Sequence, residues 1–211
     1  MPDDDAYRKV AVQTTLDYYD RAFSEFGPTA RGVDWSEEDG QEARFLALDG
    51  IFESMDAGSV CDFGCGYGAY ASHLLARRFG GVYVGVDLSE RMIQHAREVQ
   101  YDPARFTFAV GQAPEPADYV VASGIFNVMT AGTRAAWAEH AWDLIGQMIE
   151  AASVGIAFNM LLEPTAPYRD RPELFWQRPP DVEASLRSLG CDVQVVGGYG
   201  LHEVTYLAWI T

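Results

Sequence analysis

The sequence predicts a doubly wound α/β domain with a mostly parallel sheet, and three observations carry that prediction. From Ser59 onward, apolar runs of strand length alternate with stretches of helical periodicity. The first of those runs passes straight into a glycine-rich loop and a helix. The last two runs, Cys191 to Val196 and Val204 to Ile210, are joined by only Gly197 to Glu203, too few residues for a crossover helix, so they must pair antiparallel.

Two helices come first. Val12, Leu16, Tyr19, Phe23 and Phe26 recur at steps of four and three and define one apolar face, which Gly27-Pro28 ends. After the loop to Trp35, Ser36 is placed to cap a second helix in which Phe45, Leu48, Phe52 and Met55 keep helical spacing. The strand-like runs are Val60 to Phe63, Val82 to Val86, Phe106 to Val110, Tyr119 to Ile125 and Val154 to Leu162, followed by the final pair. Trp137, Ala141, Leu144, Ile145 and Met148 mark a long helix between the fourth and fifth. Strand and helix in alternation imply a parallel sheet covered on both faces. The stretch Pro164 to Pro180 contains Tyr168, Phe175 and Trp176 and reads as a lid or binding loop rather than a disordered linker.

Composition narrows the function. The 211 residues, 48% hydrophobic and 13% aromatic, suffice for one domain. Fifteen Lys plus Arg oppose 31 Asp plus Glu, and a formal charge of -16 repels a phosphate backbone, so no nucleic-acid partner is expected. The start, Met-Pro-Asp-Asp-Asp, has no basic or apolar leader character, and no apolar run reaches membrane-spanning length. A cytoplasmic protein with no membrane partner is the expectation. The three cysteines lack metal-ligand spacing, and no HxxxH, paired-carboxylate box or lysine-bearing phosphate loop is present, so no metal is expected.

The loop Asp62-Phe63-Gly64-Cys65-Gly66-Tyr67-Gly68 removes Cβ atoms at alternate positions, which lets a ligand approach the backbone closely. Gly64, Gly66 and Ala69 alone also satisfy a dinucleotide fingerprint, and Asp62 decides between the two. A carboxylate there is poorly suited to an anionic pyrophosphate at a helix N-terminus and well suited to an ammonium or sulfonium ligand. Asp87 ends the second strand about twenty residues later, where a carboxylate can accept from both ribose hydroxyls. Its alternative role, capping the next helix, falls at least as well to Ser89.

With Asp62 to Gly68 and Asp87, the chain resembles the class I S-adenosylmethionine (SAM)-dependent methyltransferases, in a form that looks like a small bacterial subgroup. The resemblance implies a Rossmann-like, seven-stranded sheet ending in an antiparallel hairpin, a single domain with residues 1–57 as an N-terminal helical cap and 58–211 as the core. It also implies SAM as cofactor and S-adenosylhomocysteine (SAH) as product. By the same resemblance, Asp62, Gly64, Cys65, Gly66, Tyr67 and Gly68 form the cofactor loop, and Asp87 holds ribose with Leu88 and Met92 beside it. Gly111, Gln112 and Ala113 edge the adenine, with Gln112 standing where the family often has Asp. Ser123, Gly124 and Ile125 border the methyl donor, and Phe126 and Asn127 the acceptor. Arg44 has two readings, a partner for the methionine carboxylate or a solvated surface group.

Methyl transfer from a sulfonium can proceed by alignment and exclusion of water, without an essential base. If a base is used, His202 and Glu203 in the final hairpin are the candidates, with Tyr18, Tyr19, Tyr168 and Asn127 as acceptor-positioning groups. His73, His95 and His140 fall on helices and read as ordinary surface or half-buried residues. Among the tryptophans, Trp35 and Trp176 lie in loops and are pocket candidates. The expected function is methylation of a small-molecule acceptor on O or N. Protein methylation, a SAM-fold protein that binds without transfer, and an NAD(P) oxidoreductase are the alternatives.

Overall fold

The computed structural model describes residues 4–35, 38–56, 58–99, 101–164 and 171–211. Ser36 and Tyr168 lie outside the described residues. Seven strands form one sheet in the order β3-β2-β1-β4-β5-β7-β6. They are β1 (Ser59–Phe63), β2 (Val82–Asp87), β3 (Phe106–Val110), β4 (Ala117–Ala122), β5 (Ala152–Leu161), β6 (Cys191–Val196) and β7 (Glu203–Ile210). Neighbours pair parallel from β3 through β5, and β7 runs antiparallel to both β5 and β6. Among the described residues the α-helices are α1 (Asp4–Phe26), α2 (Glu38–Leu48), α3 (Ala69–Ala76), α4 (Glu90–Glu98), α5 (Arg134–Ala151) and α6 (Pro179–Ser188).

Apolar side chains on both faces of the sheet make two core layers. Cys61, Phe63, Val120, Ile156 and Tyr206 face α5 and α6, while Val60, Tyr83, Val121, Ala157 and Leu207 face α2, α3 and α4. Burial of such side chains contributes about 1.5–3 kcal/mol each relative to exposure. Helix α1 belongs to the first layer through Ala11, which is fully buried. Helix α2 and the short turn after it place Phe45, Leu48 and Ile51 in the second.

Two departures from the expected rhythm shape the site. Between β3 and β4 there is no helix, because the connection has only residues 111–116, fewer than a crossover helix needs. It runs in the open past β1, where the Glu115 N–H donates to Cys61 Sγ at 3.3 Å. Strand β4 stops at Ala122 rather than Ile125, because Gly124 takes φ +83°, which leaves the extended region. The chain therefore turns at Ser123 to Ile125, at the carboxyl edge of the sheet. The Pro-rich stretch is anchored where it is described: Phe175 is buried in the core and Trp176 bridges to Leu161.

Candidate active site

The carboxyl ends of β1, β2, β3 and β4 open into one cavity with about 930 Å³ of empty space, counting the part open to solvent. Its floor comes from Phe63, Gly64 and Gly66 after β1, Asp87 to Ser89 after β2, Gly111 and Gln112 after β3, and Ser123 to Ile125 after β4. Its roof is α1, through Val12, Thr15, Leu16 and Tyr19, with Val33 and Trp35 from the loop that follows. Trp137, His140 and Leu144 of α5 close one side. A smaller adjoining cavity is lined by Asp62, Cys65, Tyr67 and Gln41, and shares Gly64, Gly66, Ser123 and Trp35 with the first.

Asp87 is held in place by the glycine loop. Its Oδ2 accepts the Gly66 N–H at 2.8 Å and its Oδ1 accepts the Ser89 N–H at 2.8 Å. Ser89 caps α4, its side chain accepting the Met92 N–H, which relieves Asp87 of that duty. Each Asp87 oxygen thus keeps lone-pair capacity toward the cavity. Burial, with Asp20 adding to it, raises its pKa, and the backbone donors of Ser89, Gly66 and Leu88 oppose that rise. The roof is tied to the same spot: Ser89 Oγ donates to Asp20 of α1 at 2.5 Å. Asp62 lies deeper, accepting from the Tyr83 hydroxyl at 2.7 Å, and burial pushes its pKa up to about 7, with Asp87 adding to the rise.

A closed ring of contacts fixes the roof to the floor. The Gly124 N–H donates to Asn159 Oδ1 at 2.8 Å, and Asn159 Nδ2 donates to Glu203 Oε1 at 3.3 Å. Glu203 pairs with Arg44 Nε at 2.6 Å, and the Arg44 guanidinium stacks 3.3 Å from the Trp35 ring centroid. Trp35 returns to Gly124 so closely that a Cβ there would stand 2.3 Å from the indole. Only glycine fits that turn.

The structure brings twelve of the sequence candidates to the main cavity: Gly64, Gly66, Asp87, Leu88, Met92, Gly111, Gln112, Ser123, Gly124, Ile125, Tyr19 and Trp35. Asp62, Cys65 and Tyr67 border the smaller one. Gly68 instead opens α3 at φ +86°, with Ala96 and Phe108 packed against it. Neither cavity is lined by Ala113, Phe126, Asn127 or Trp176; Trp176 lies under the Arg134 guanidinium. The Tyr18 hydroxyl donates to Asp34 at 2.7 Å. Arg44 is 8% exposed and paired with Glu203 through Nε, which removes its solvated reading, and it is not among the residues lining either cavity. Glu203 is 1% exposed and committed to Arg44, and His202 Nε2 meets the Glu163 carbonyl at 2.7 Å, so the hairpin pair stands away from the cavity. Conversely, Thr15, Trp137 and His140 line it although the sequence reading set His140 aside.

A family model described as "Methyltransferase domain" matches residues 61–147. The Mycobacterium tuberculosis protein named "Putative methyltransferase Rv1506c" is 32% identical over 159 residues, covering 74% of this chain and 96% of that protein. The chain belongs to the class I SAM-dependent methyltransferase family. Among solved structures, magnesium protoporphyrin IX methyltransferase (ChlM) from Synechocystis PCC 6803 with bound SAH gives a TM-score of 0.70 at 16% identity, covering 95% of this chain and 100% of that one. Human N-acetylserotonin methyltransferase in complex with SAM gives 0.60 at 16% identity, covering 95% of this chain and 66% of that one. At such identities the likeness concerns the fold. The mostly parallel seven-stranded sheet of this methyltransferase, ending in an antiparallel hairpin, is the one its sequence predicted, and the structure adds that β7 lies between β5 and β6. Among the described residues of the methyltransferase, no helix is long and apolar enough to cross a membrane, and no three His, Cys, Asp or Glu side chains are grouped to hold a metal ion.

Proposed function

We propose that this chain binds SAM in the main cavity and directs its methyl group to an oxygen or nitrogen of a small-molecule acceptor. The observation that carries the reading is the convergence of four strand ends on one space, with an anchored carboxylate at its floor, α1 over it and α5 at its side. The residues present fit the cofactor. Asp87 offers two oxygens to a ribose diol, Gly111 and Gln112 offer backbone and amide groups beside it, and Gly64 and Gly66 leave the loop backbone bare. SAM, when bound, supplies a methyl group on a sulfonium. The protein's part is to hold that group against the acceptor and to limit its contact with water, for which the α1 roof and α5 wall are placed. The acidic charge balance and a cavity of this size favour a small molecule over a polymer. A thermal-shift comparison of SAM, SAH and NADH tests the reading: the first two should raise the melting temperature and NADH should not. A shift with NADH alone would overturn it.

Asp62 supplies a second test. Its native pKa of about 7 stands above its ordinary value of 3.8, so the native state holds a proton there that the unfolded chain releases, and this group's contribution to stability falls as pH rises from about 4 to 7. A cationic ammonium seated in the smaller cavity would favour the carboxylate and expel that proton. Calorimetry near pH 6.5, in buffers of different ionisation enthalpy, should record release of about half a proton or more on binding SAH. Asp62→Asn should abolish the release, and a wild-type protein that binds SAH with no proton release would refute this placement.

A further inference from the structure

His140 is the one ionisable group on the α5 wall of the cavity, and its surroundings are unusual for a structural histidine. Its Nδ1 is buried with no hydrogen-bond partner among the described residues. Buried imidazoles that serve packing alone are normally satisfied on the buried side. The ring is held edge-on by Trp137 at 5.5 Å and Tyr7 at 6.2 Å between centroids. The charged groups near it, Arg8 of α1 and Asp143 of α5, pair with each other at 2.6 Å. That leaves Nε2, for which no hydrogen bond is found among the described residues, to meet a ligand in the cavity that His140 lines.

The wall around His140 specifies what that ligand is. Val12, Leu16 and Leu144 are apolar, and Trp137 presents an indole fixed by its Nε1–H donating to the Phe126 carbonyl at 3.2 Å. Among the described residues no Arg or Lys lines the cavity, so a carboxylate or phosphate on the acceptor finds no counter-ion among them. Thr15 is already engaged with Thr130 at 2.6 Å. A rigid aromatic plate, aliphatic neighbours and one free imidazole nitrogen match a neutral aromatic ring carrying a hydroxyl group.

We propose that the α1–α5 wall is the acceptor subsite for a neutral aromatic alcohol of phenol type, and that His140 Nε2 takes the hydroxyl proton as that oxygen is methylated. The inference rests on the SAM reading of the floor. As the O–CH3 bond forms, the carbon–sulfur bond breaks with its electron pair left on sulfur, the O–H proton passes to Nε2, and the imidazolium returns it to water after product leaves. Burial, with Arg8 adding to it and Asp143 opposing, lowers the His140 pKa below its ordinary 6.5, so the ring is a free base at neutral pH.

The test uses umbelliferone, a hydroxylated coumarin, and coumarin itself, which lacks the hydroxyl. The protein has four histidines, so nitrogen NMR of histidine-labelled protein resolves them. In the SAH complex, umbelliferone should shift the His140 ring signals and coumarin should not. With SAM, umbelliferone should be O-methylated with a rate that falls at acid pH as His140 protonates. His140→Gln should keep its melting temperature and its SAH affinity, lose about 100-fold or more in methyl transfer, and lose the acid limb of the pH profile. Unmoved His140 signals, equal shifts with coumarin, binding without methylation, or an unchanged pH profile in His140→Gln would each overturn the proposal. Failure of the wild-type protein to bind SAH would overturn it through the reading beneath it, which separates the two.

Discussion

Replacing Arg44 by methionine is expected to lower the unfolding free energy by about 3–5 kcal/mol at neutral pH, because it leaves the Glu203 carboxylate buried without its counter-charge. Glu203 is closed in by Asn159 and Tyr199 as well as Arg44, and one of its oxygens, Oε2, has no hydrogen-bond partner among the described residues. Burial raises its pKa and Arg44 opposes that rise, so removing Arg44 drives it to protonate in the native state. The sign follows: a raised acid costs stability as pH climbs above its ordinary range, so the deficit of Arg44→Met should be smaller near pH 5 than near pH 8. Pairing it with Glu203→Gln should recover much of the loss, since the uncompensated charge goes too. Urea denaturation of both variants checks this, and a loss below about 1 kcal/mol for Arg44→Met would mean that the pair contributes little. The ring of contacts adds a functional signature. Trp35 rests on Arg44 and on Gly124, so the same substitution should also weaken cofactor affinity by loosening the cavity roof.

Gly66→Val is expected to abolish cofactor binding, by about 100-fold or more, in a protein that still folds. Gly66 holds φ +55°, where a β-branched residue is strained, and its N–H is one of the two donors that anchor Asp87. A Cβ at this position would meet Val33 Cγ1 at 3.3 Å and Met92 Sδ at 3.8 Å, in the gap between roof and floor, and the valine methyls would extend from there into ligand space. Relief of the strain turns the N–H away from Asp87, so the substitution removes both room and carboxylate alignment. Circular dichroism should show the sheet intact while SAH titration shows no heat. Normal SAH affinity in that variant would mean that the loop is not the cofactor cradle.

The floor of this site was legible in the sequence because it is local. Asp62 to Gly68, Asp87 and Gly111 to Gln112 each sit at the end of an apolar run, and a parallel sheet must gather such ends along one edge. Ser89 could be assigned the α4 cap, freeing Asp87, from spacing alone. The walls were not legible, because they depend on which helix packs over which strand end. His140 looked like any helical histidine until α5 was seen to flank the cavity at the level where α1 crosses it. Arg44 was left between a carboxylate partner and a solvated group because its actual partners, Glu203 and Trp35, come from the far end of the chain and from a preceding loop. His202 and Glu203 were drawn into the site by their place in a hairpin turn. The register of β7 against β5 instead sets Glu203 opposite Leu161, pointing it into the polar ring under the roof. The end of β4 was overrun by three residues because the apolar run continues through Ile125, while the backbone turns at Gly124.

The central claim, that the anchored Asp87 carboxylate marks a ribose-binding floor, meets its most direct test in a calorimetric titration of SAH into wild-type protein and into Asp87→Ala. Both oxygens of Asp87 are positioned by backbone donors and face the cavity with acceptor capacity to spare. Wild type should bind SAH in one-to-one stoichiometry. Asp87→Ala, folded by circular dichroism, should bind more weakly by about 1.5–3 kcal/mol, the scale of hydrogen bonds to a charged group. Equal affinity in the two proteins, or no binding by the wild type, would contradict the account.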